Sequence, residues 1–129
     1  MLQPPTCNAS AQKTILLVED DDDLRDMMRN ILETAGFHVI EATTADSVIA
    51  VLSAPHDVAL VFTDVALPGQ ADGFTLARMV REAMPDVPVL VTSGKVPRNQ
   101  VPDGVTFIPK PYILAKVLQN IQEALHTAC

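Results

Sequence analysis

Four polar signals interrupt an otherwise aliphatic pattern: the acid run Glu19-Asp20-Asp21-Asp22-Asp23, the lone Asp64, the pair Thr92-Ser93, and Lys110. Each follows a short apolar run: Thr14–Val18, Val58–Phe62, Val87–Val91 and Val105–Ile108 respectively. Runs of this length bounded by turn residues predict strands buried on both faces. In a parallel sheet the carboxyl ends of the strands share one rim, so these groups should meet there. The carboxylates of Glu19, Asp20 and Asp64 in one shallow site would repel one another unless a cation lay among them. Oxygen donors favour Mg²⁺, with Mn²⁺ as the alternative, over zinc. Lys110 adds a fixed positive charge and Thr92 a hydroxyl donor. Such a set suits a phosphoryl group, whose oxygens the cations neutralise while a carboxylate attacks phosphorus. Taken singly, each signal has a blander reading: a helix cap, a solvated acid face, a turn, a surface lysine. Their occurrence in this order at strand ends carries the argument.

The elements that must position these groups follow from periodicity. Leu24, Met27, Met28, Ile31, Leu32 and Ala35 recur at helical spacing after the acid run. Asp21 or Asp22 can cap that helix, and Gly36 stops it. Phe37–Ala42 reads as a second strand. Thr43 or Thr44 caps a helix carrying Val48, Val51 and Leu52, which ends by Pro55. Asp72-Gly73 is a turn, and Phe74, Leu76, Ala77, Val80 and Ala83 form a helical face closed before Pro85. Lys95–Gly104 contains Pro97 and Pro102 and few apolar anchors, so a loop or single turn is expected rather than a full helix. Leu114, Val117, Leu118, Ile121 and Leu125 mark the last helix. Strand–helix alternation predicts an α/β fold, a doubly wound parallel sheet of five strands with right-handed crossovers.

The 129 residues fit one domain, and 48% hydrophobic content supports a sizeable core, necessarily aliphatic because only 4% is aromatic. A net charge of −7 without a Lys/Arg cluster argues against direct nucleic-acid binding. Residues 1–12 read as a flexible tail without the features of a signal peptide. No apolar run approaches membrane-spanning length. Cys7 and Cys129 lack metal-type spacing, which points to a reducing, cytoplasmic setting, with a clip between the two ends as the alternative. The scattered His38, His56 and His126 suggest no site.

From about Lys13 to about Leu125 the sequence resembles the receiver domains of two-component response regulators. The resemblance rests on Ile15–Asp21 with Arg25 downstream, Thr63-Asp64 followed by Leu67-Pro68-Gly69 and Asp72-Gly73, Val91–Gly94, and Lys110-Pro111. It implies a receiver domain over residues 13–127 and the flavodoxin-like strand order 2-1-3-4-5. Asp64 would be the phospho-acceptor, taking its phosphoryl group from a sensor histidine kinase or histidine phosphotransfer protein. Glu19, Asp20, Asp64 and the backbone carbonyl of Ala66 would hold Mg²⁺, Glu19 through water. Thr92 would move toward the phosphoryl group, Lys110 would pair with it, and the Phe107 ring would turn inward. Pro111 would follow a cis peptide bond. The product would be a switch that binds a downstream protein, not an enzyme beyond its own phosphorylation and dephosphorylation.

The chain departs from that pattern in places. Glu19 replaces the commoner aspartate, and one extra residue separates Pro68-Gly69 from Asp72-Gly73. The family's fourth helix is shortened or irregular across Lys95–Gly104, a face often used for dimerisation. Phe107 lacks a hydroxyl, so a switch there works by packing. The main expectation is a stand-alone receiver of the chemotaxis type. The alternative is a receiver module of a hybrid histidine kinase or phosphorelay. A metal-dependent phosphohydrolase of the haloacid-dehalogenase type would need an acid where Ala66 stands, and a nucleotide-binding flavodoxin-like protein would want a phosphate-cradling loop where the acid run lies.

Overall fold

The computed structural model describes residues 13–65, 73–93, 101–102 and 104–127. In chain order these form β1 (Thr14–Val18), α1 (Asp22–Thr34), β2 (His38–Ala42), α2 (Ala45–Ser53), β3 (Val58–Asp64), α3 (Gly73–Ala83), β4 (Val89–Ser93), β5 (Val105–Pro109) and α4 (Leu114–Thr127). The five strands pair in parallel in the order β2-β1-β3-β4-β5. The expected sheet is therefore present. The expected tail over residues 1–12, the segment 94–100, Ala66, and both cysteines lie outside the described residues.

Alternation along each strand divides the core in two. On one face Leu16, Val18, Val61 and Val91 pack with Val48 of α2 and Phe74, Ala77 and Val80 of α3. On the other, Ile15, Leu17, Leu60, Phe62 and Leu90 pack with Met28 and Leu32 of α1 and Val117 and Ile121 of α4. Burial on both faces is why β1, β3 and β4 read as unbroken apolar runs.

Local chemistry fixes the helix ends. The Asp21 side chain accepts a hydrogen bond from the Leu24 amide at 3.0 Å, so Asp21 rather than Asp22 is the cap of α1. Thr44 caps α2 by accepting from the Ser47 amide at 3.0 Å. Gly36 follows α1 with φ 101°, a left-handed conformation that favours glycine. Some particulars differ from the sequence expectation. β4 runs to Ser93 instead of starting at Val87, because Thr92 pairs with Asp64 and Ser93 with Pro109, while Val87 closes a turn on Met84. Met27, placed on the apolar stripe of α1 by spacing, is 43% exposed because that stripe is centred on Met28 and Leu32.

Candidate functional site

Strand pairing brings the polar groups together. Asp64, at the end of β3, lies opposite Thr92 of β4, and the Val65 amide donates to the Thr92 carbonyl at 3.0 Å. The Lys110 amide donates to the Ser93 carbonyl at 3.0 Å, extending the β4–β5 ladder past the strand end. The Glu19 amide does the same on the other side, donating to Ala42 of β2 at 3.1 Å. Glu19, Asp64, Thr92 and Lys110 thus leave successive strands at one rim. The peptide bond between Lys110 and Pro111 is cis.

From β5 the Lys110 side chain reaches across to Asp64: Nζ donates to Oδ2 at 2.7 Å. Its distance to Glu19 Oε1 is 3.8 Å, an ion pair beyond hydrogen-bond range. Burial works against the Lys110 ammonium. Its hydrogen bond and charge pairing with Asp64, joined by the Glu19 charge, outweigh burial and raise its pKa.

Glu19 is the least expected member. It opens the acid run, yet it is 5% exposed while Asp20, Asp21, Asp22 and Asp23 are exposed. Among the described residues its Oε2 is buried with no hydrogen-bond partner. Burial first, then the charge of Asp64 and a hydrogen bond the two acids could share, push its pKa up to about 7 against the pull of Lys110; Asp20 adds to the rise. Two ionised carboxylates cannot hydrogen-bond to each other, so that shared bond requires a proton on one of them. A divalent cation would do the same work as the proton. The orphaned Oε2, the facing acids and the all-oxygen donor set fit Mg²⁺. Among the described residues no three His, Cys, Asp or Glu side chains gather as a metal cage. Asp20 is felt by Glu19 as a charge but stays exposed, and Ala66 lies outside the described residues.

Thr92 is 2% exposed and lines a small cavity with Glu19, Asp64, Phe62 and Tyr112. Phe107 sits apart from this cavity, half-buried against the core beneath α2 and α3.

Three residues at the site were given no part in its chemistry by the sequence reading. Gly73, read there as a turn residue, begins α3 with its amide donating to the Val65 carbonyl at 2.9 Å. A β-carbon on it would fall on the Asp64 carbonyl oxygen and within 2.8 Å of Val65 Cα, so only glycine fits against this backbone. Tyr112 is half-buried beside the acids. Burial raises its pKa, Lys110 opposes, and the Glu19 and Asp64 charges add to the rise. Its position two residues beyond Lys110 was the available signal. Arg25 donates from Nη1 to the Glu19 carbonyl at 2.9 Å. Its spacing from the acid run was visible; its target was not.

A five-stranded doubly wound sheet with a buried and a partly buried acid and a lysine at its carboxyl rim defines the class of flavodoxin-like α/β proteins that build their sites at that edge. The family model for the response regulator receiver domain matches residues 15–122, and the chain belongs to that family. It is 34% identical over 120 residues to the C4-dicarboxylate transport transcriptional regulatory protein DctD of Rhizobium meliloti, covering 89% of this chain but 26% of that protein. It is 31% identical over 121 residues to the response regulator receiver protein CpdR of Brucella abortus, covering 90% of this chain and 99% of that one. A response regulator receiver protein from Sinorhizobium medicae superposes with a TM-score of 0.84 at 27% identity, covering 92% of this chain and 98% of that one. Among the described residues no helix is long and apolar enough to cross a membrane.

Proposed function

We propose that this receiver accepts a phosphoryl group on Asp64 from the phosphohistidine of a sensor kinase or phosphotransfer protein, and that the modification switches its binding to a downstream protein. The observation that carries the reading is the 2.7 Å contact of Lys110 Nζ with Asp64 Oδ2 beside a buried, orphaned Glu19 oxygen. It is an acceptor carboxylate held by a cation in a site still short of positive charge. Glu19, Asp20, Asp64 and the Ala66 carbonyl would hold Mg²⁺. When bound, the ion supplies the positive charge that neutralises the acids and the phosphoryl oxygens during transfer.

The chain's own groups do the rest. A carboxylate oxygen of Asp64 forms the new bond to phosphorus as the nitrogen–phosphorus bond breaks, and the electron pair of that bond leaves on the imidazole. Lys110 orients the carboxylate before transfer and faces the phosphoryl oxygens after it. The buried Thr92, opposite Asp64 in the ladder, offers its hydroxyl to the same oxygens. The phosphoryl group carries a charge of about −1.5 to −2 in place of the single negative charge of the carboxylate, with three strong acceptors. Thr92 and Phe107 lie on adjacent strands, so a shift of Thr92 bears on the packing of the ring. This chemistry is the same whether the unit stands alone or is joined to a kinase or effector. The reading puts the protein in the cytoplasm and gives it no turnover beyond gaining and losing its own phosphate.

Incubation with a small phosphodonor and Mg²⁺ is expected to label the protein once, on an acid-stable, base-labile acyl phosphate, and Asp64→Asn to remove the label. Full labelling of that variant would refute the assignment. Sustained turnover of ordinary phosphate esters would favour a hydrolase.

A further inference from the structure

The Glu19–Asp20 pair leaves β1 where the sheet ends. The Glu19 amide still has a ladder partner in Ala42, but its carbonyl turns to a side chain. That side chain is Arg25, whose three bonded nitrogens go to three different pieces of the fold. Nη1 donates to the Glu19 carbonyl at 2.9 Å, Nη2 to Asp22 Oδ1 at 2.7 Å in the first turn of α1, and Nε to Glu41 Oε1 at 3.2 Å on β2. Only 15% of the Arg25 side chain is exposed. Glu41 is itself held, taking Arg29 Nη1 on Oε1 at 3.2 Å and on Oε2 at 3.3 Å. Arg29 in turn donates to Asp26 at 3.0 Å.

A guanidinium beside a cation-binding acid pair is electrostatically adverse to that cation. Its geometry supplies the reason for its presence. A planar fork with donors on separate edges can lock a strand end, a helix start and a neighbouring strand together, which an ammonium on a flexible stem cannot. We propose that Arg25, oriented by Glu41, is a positioning residue for the acid pair: it fixes the Glu19 carbonyl and hence the turn from which both carboxylates project. The inference rests on the reading that this pair holds Mg²⁺. Supports of this kind around metal ligands are commonly worth about tenfold or more in affinity.

Arg25→Lys and Arg25→Gln in the full chain separate geometry from charge. Amide-shift titration with Mg²⁺ by nuclear magnetic resonance gives the affinity, and hydrogen exchange of the Asp20 and Asp21 amides in metal-free protein reports the turn itself. Positioning predicts that both variants bind Mg²⁺ about tenfold more weakly or worse. It also predicts faster exchange at those two amides while the amides of the sheet core stay protected. A pure charge effect predicts a lysine variant like the wild type and a glutamine variant that binds more tightly; that outcome overturns the proposal. So does a lowered melting temperature with unchanged Mg²⁺ affinity. If the wild type itself shows no Mg²⁺-dependent shifts at Glu19, Asp20 or Asp64, the parent reading fails along with this one.

Discussion

Replacing Glu19 with glutamine is expected to stabilise the metal-free protein, and the gain should grow with pH. A pKa moved from 4.5 to about 7 means the folded state holds the Glu19 proton far more tightly than the unfolded chain does. At about 1.4 kcal/mol for each tenfold change in proton affinity, the displacement corresponds to about 3 kcal/mol. The sign follows from which state binds the proton. Below the unfolded value both states are protonated and Glu19 costs nothing. Between there and about 7 the unfolded chain loses its proton first, so folding becomes steadily less favourable. Above about 7 both states are ionised and the full cost of about 3 kcal/mol is in place. A glutamine side chain at this position never ionises and escapes this cost. Its amide can gain or lose a hydrogen bond, but that offset does not vary with pH. The quantity to read is therefore the slope of the difference. Thermal unfolding in chelator at a series of pH values from 5 to 8 should show the variant gaining roughly 10 °C over the wild type across the range. Saturating Mg²⁺ should then reverse the order near pH 8. A ligand at a thousand times its dissociation constant adds about 4.1 kcal/mol to the wild type, more than the cost of about 3 kcal/mol, and the variant lacks one ligand. A stability difference that stays flat from pH 5 to 8 would refute the reasoning that Glu19 is a buried acid held short of a cation.

Other substitutions test the frame around the site. Gly73→Ala would ordinarily gain about 1 kcal/mol of helix propensity. Here the β-carbon meets the Asp64 carbonyl and Val65 backbone, so a net loss of about 2 kcal/mol by denaturant unfolding is expected, with slower acceptance of phosphate. Lys110→Ala leaves the Asp64 and Glu19 charges without their nearest cation and should cost about 1–3 kcal/mol in chelator, read by the same unfolding curves, with part of the loss recovered on adding Mg²⁺. Thr44→Ala removes the cap of α2 and should cost about 1 kcal/mol in thermal unfolding.

The sheet was legible in the sequence because β1, β3 and β4 are buried on both faces and so appear as unbroken aliphatic runs. The rim followed from that, since parallel strands deliver Glu19, Asp64, Thr92 and Lys110 to the same edge whatever their side-chain rotamers. What periodicity cannot carry is contact between elements distant in the chain. The Arg25–Glu41 bond joins residues brought together by the β1–β2 register, in which Leu17 lies opposite Glu41. Gly73 looked like half of a turn; its lack of a side chain matters because the Asp64 backbone passes against it.

The acid run shows most clearly how one stretch of like residues is divided by the fold. Five adjacent carboxylates would be read as one solvated patch by composition, and exposure of Asp20, Asp21, Asp22 and Asp23 agrees with that reading. The strand ends one residue too late for Glu19, which the ladder to Ala42 holds inside the rim. Asp21 satisfies an amide at the start of α1, and Asp22 holds Arg25. Asp20 remains at the mouth, close enough to Glu19 to raise its proton affinity. The repulsion among these acids would be a defect in a site meant to stay empty. Beside Lys110, which balances one carboxylate and not two, it becomes a standing preference for added positive charge. The proton that Glu19 takes near neutral pH and the divalent cation proposed for the phosphoryl reaction are two answers to that same preference, so they would compete. Mg²⁺ affinity should accordingly fall as the pH drops through about 7, by up to tenfold for each pH unit below it.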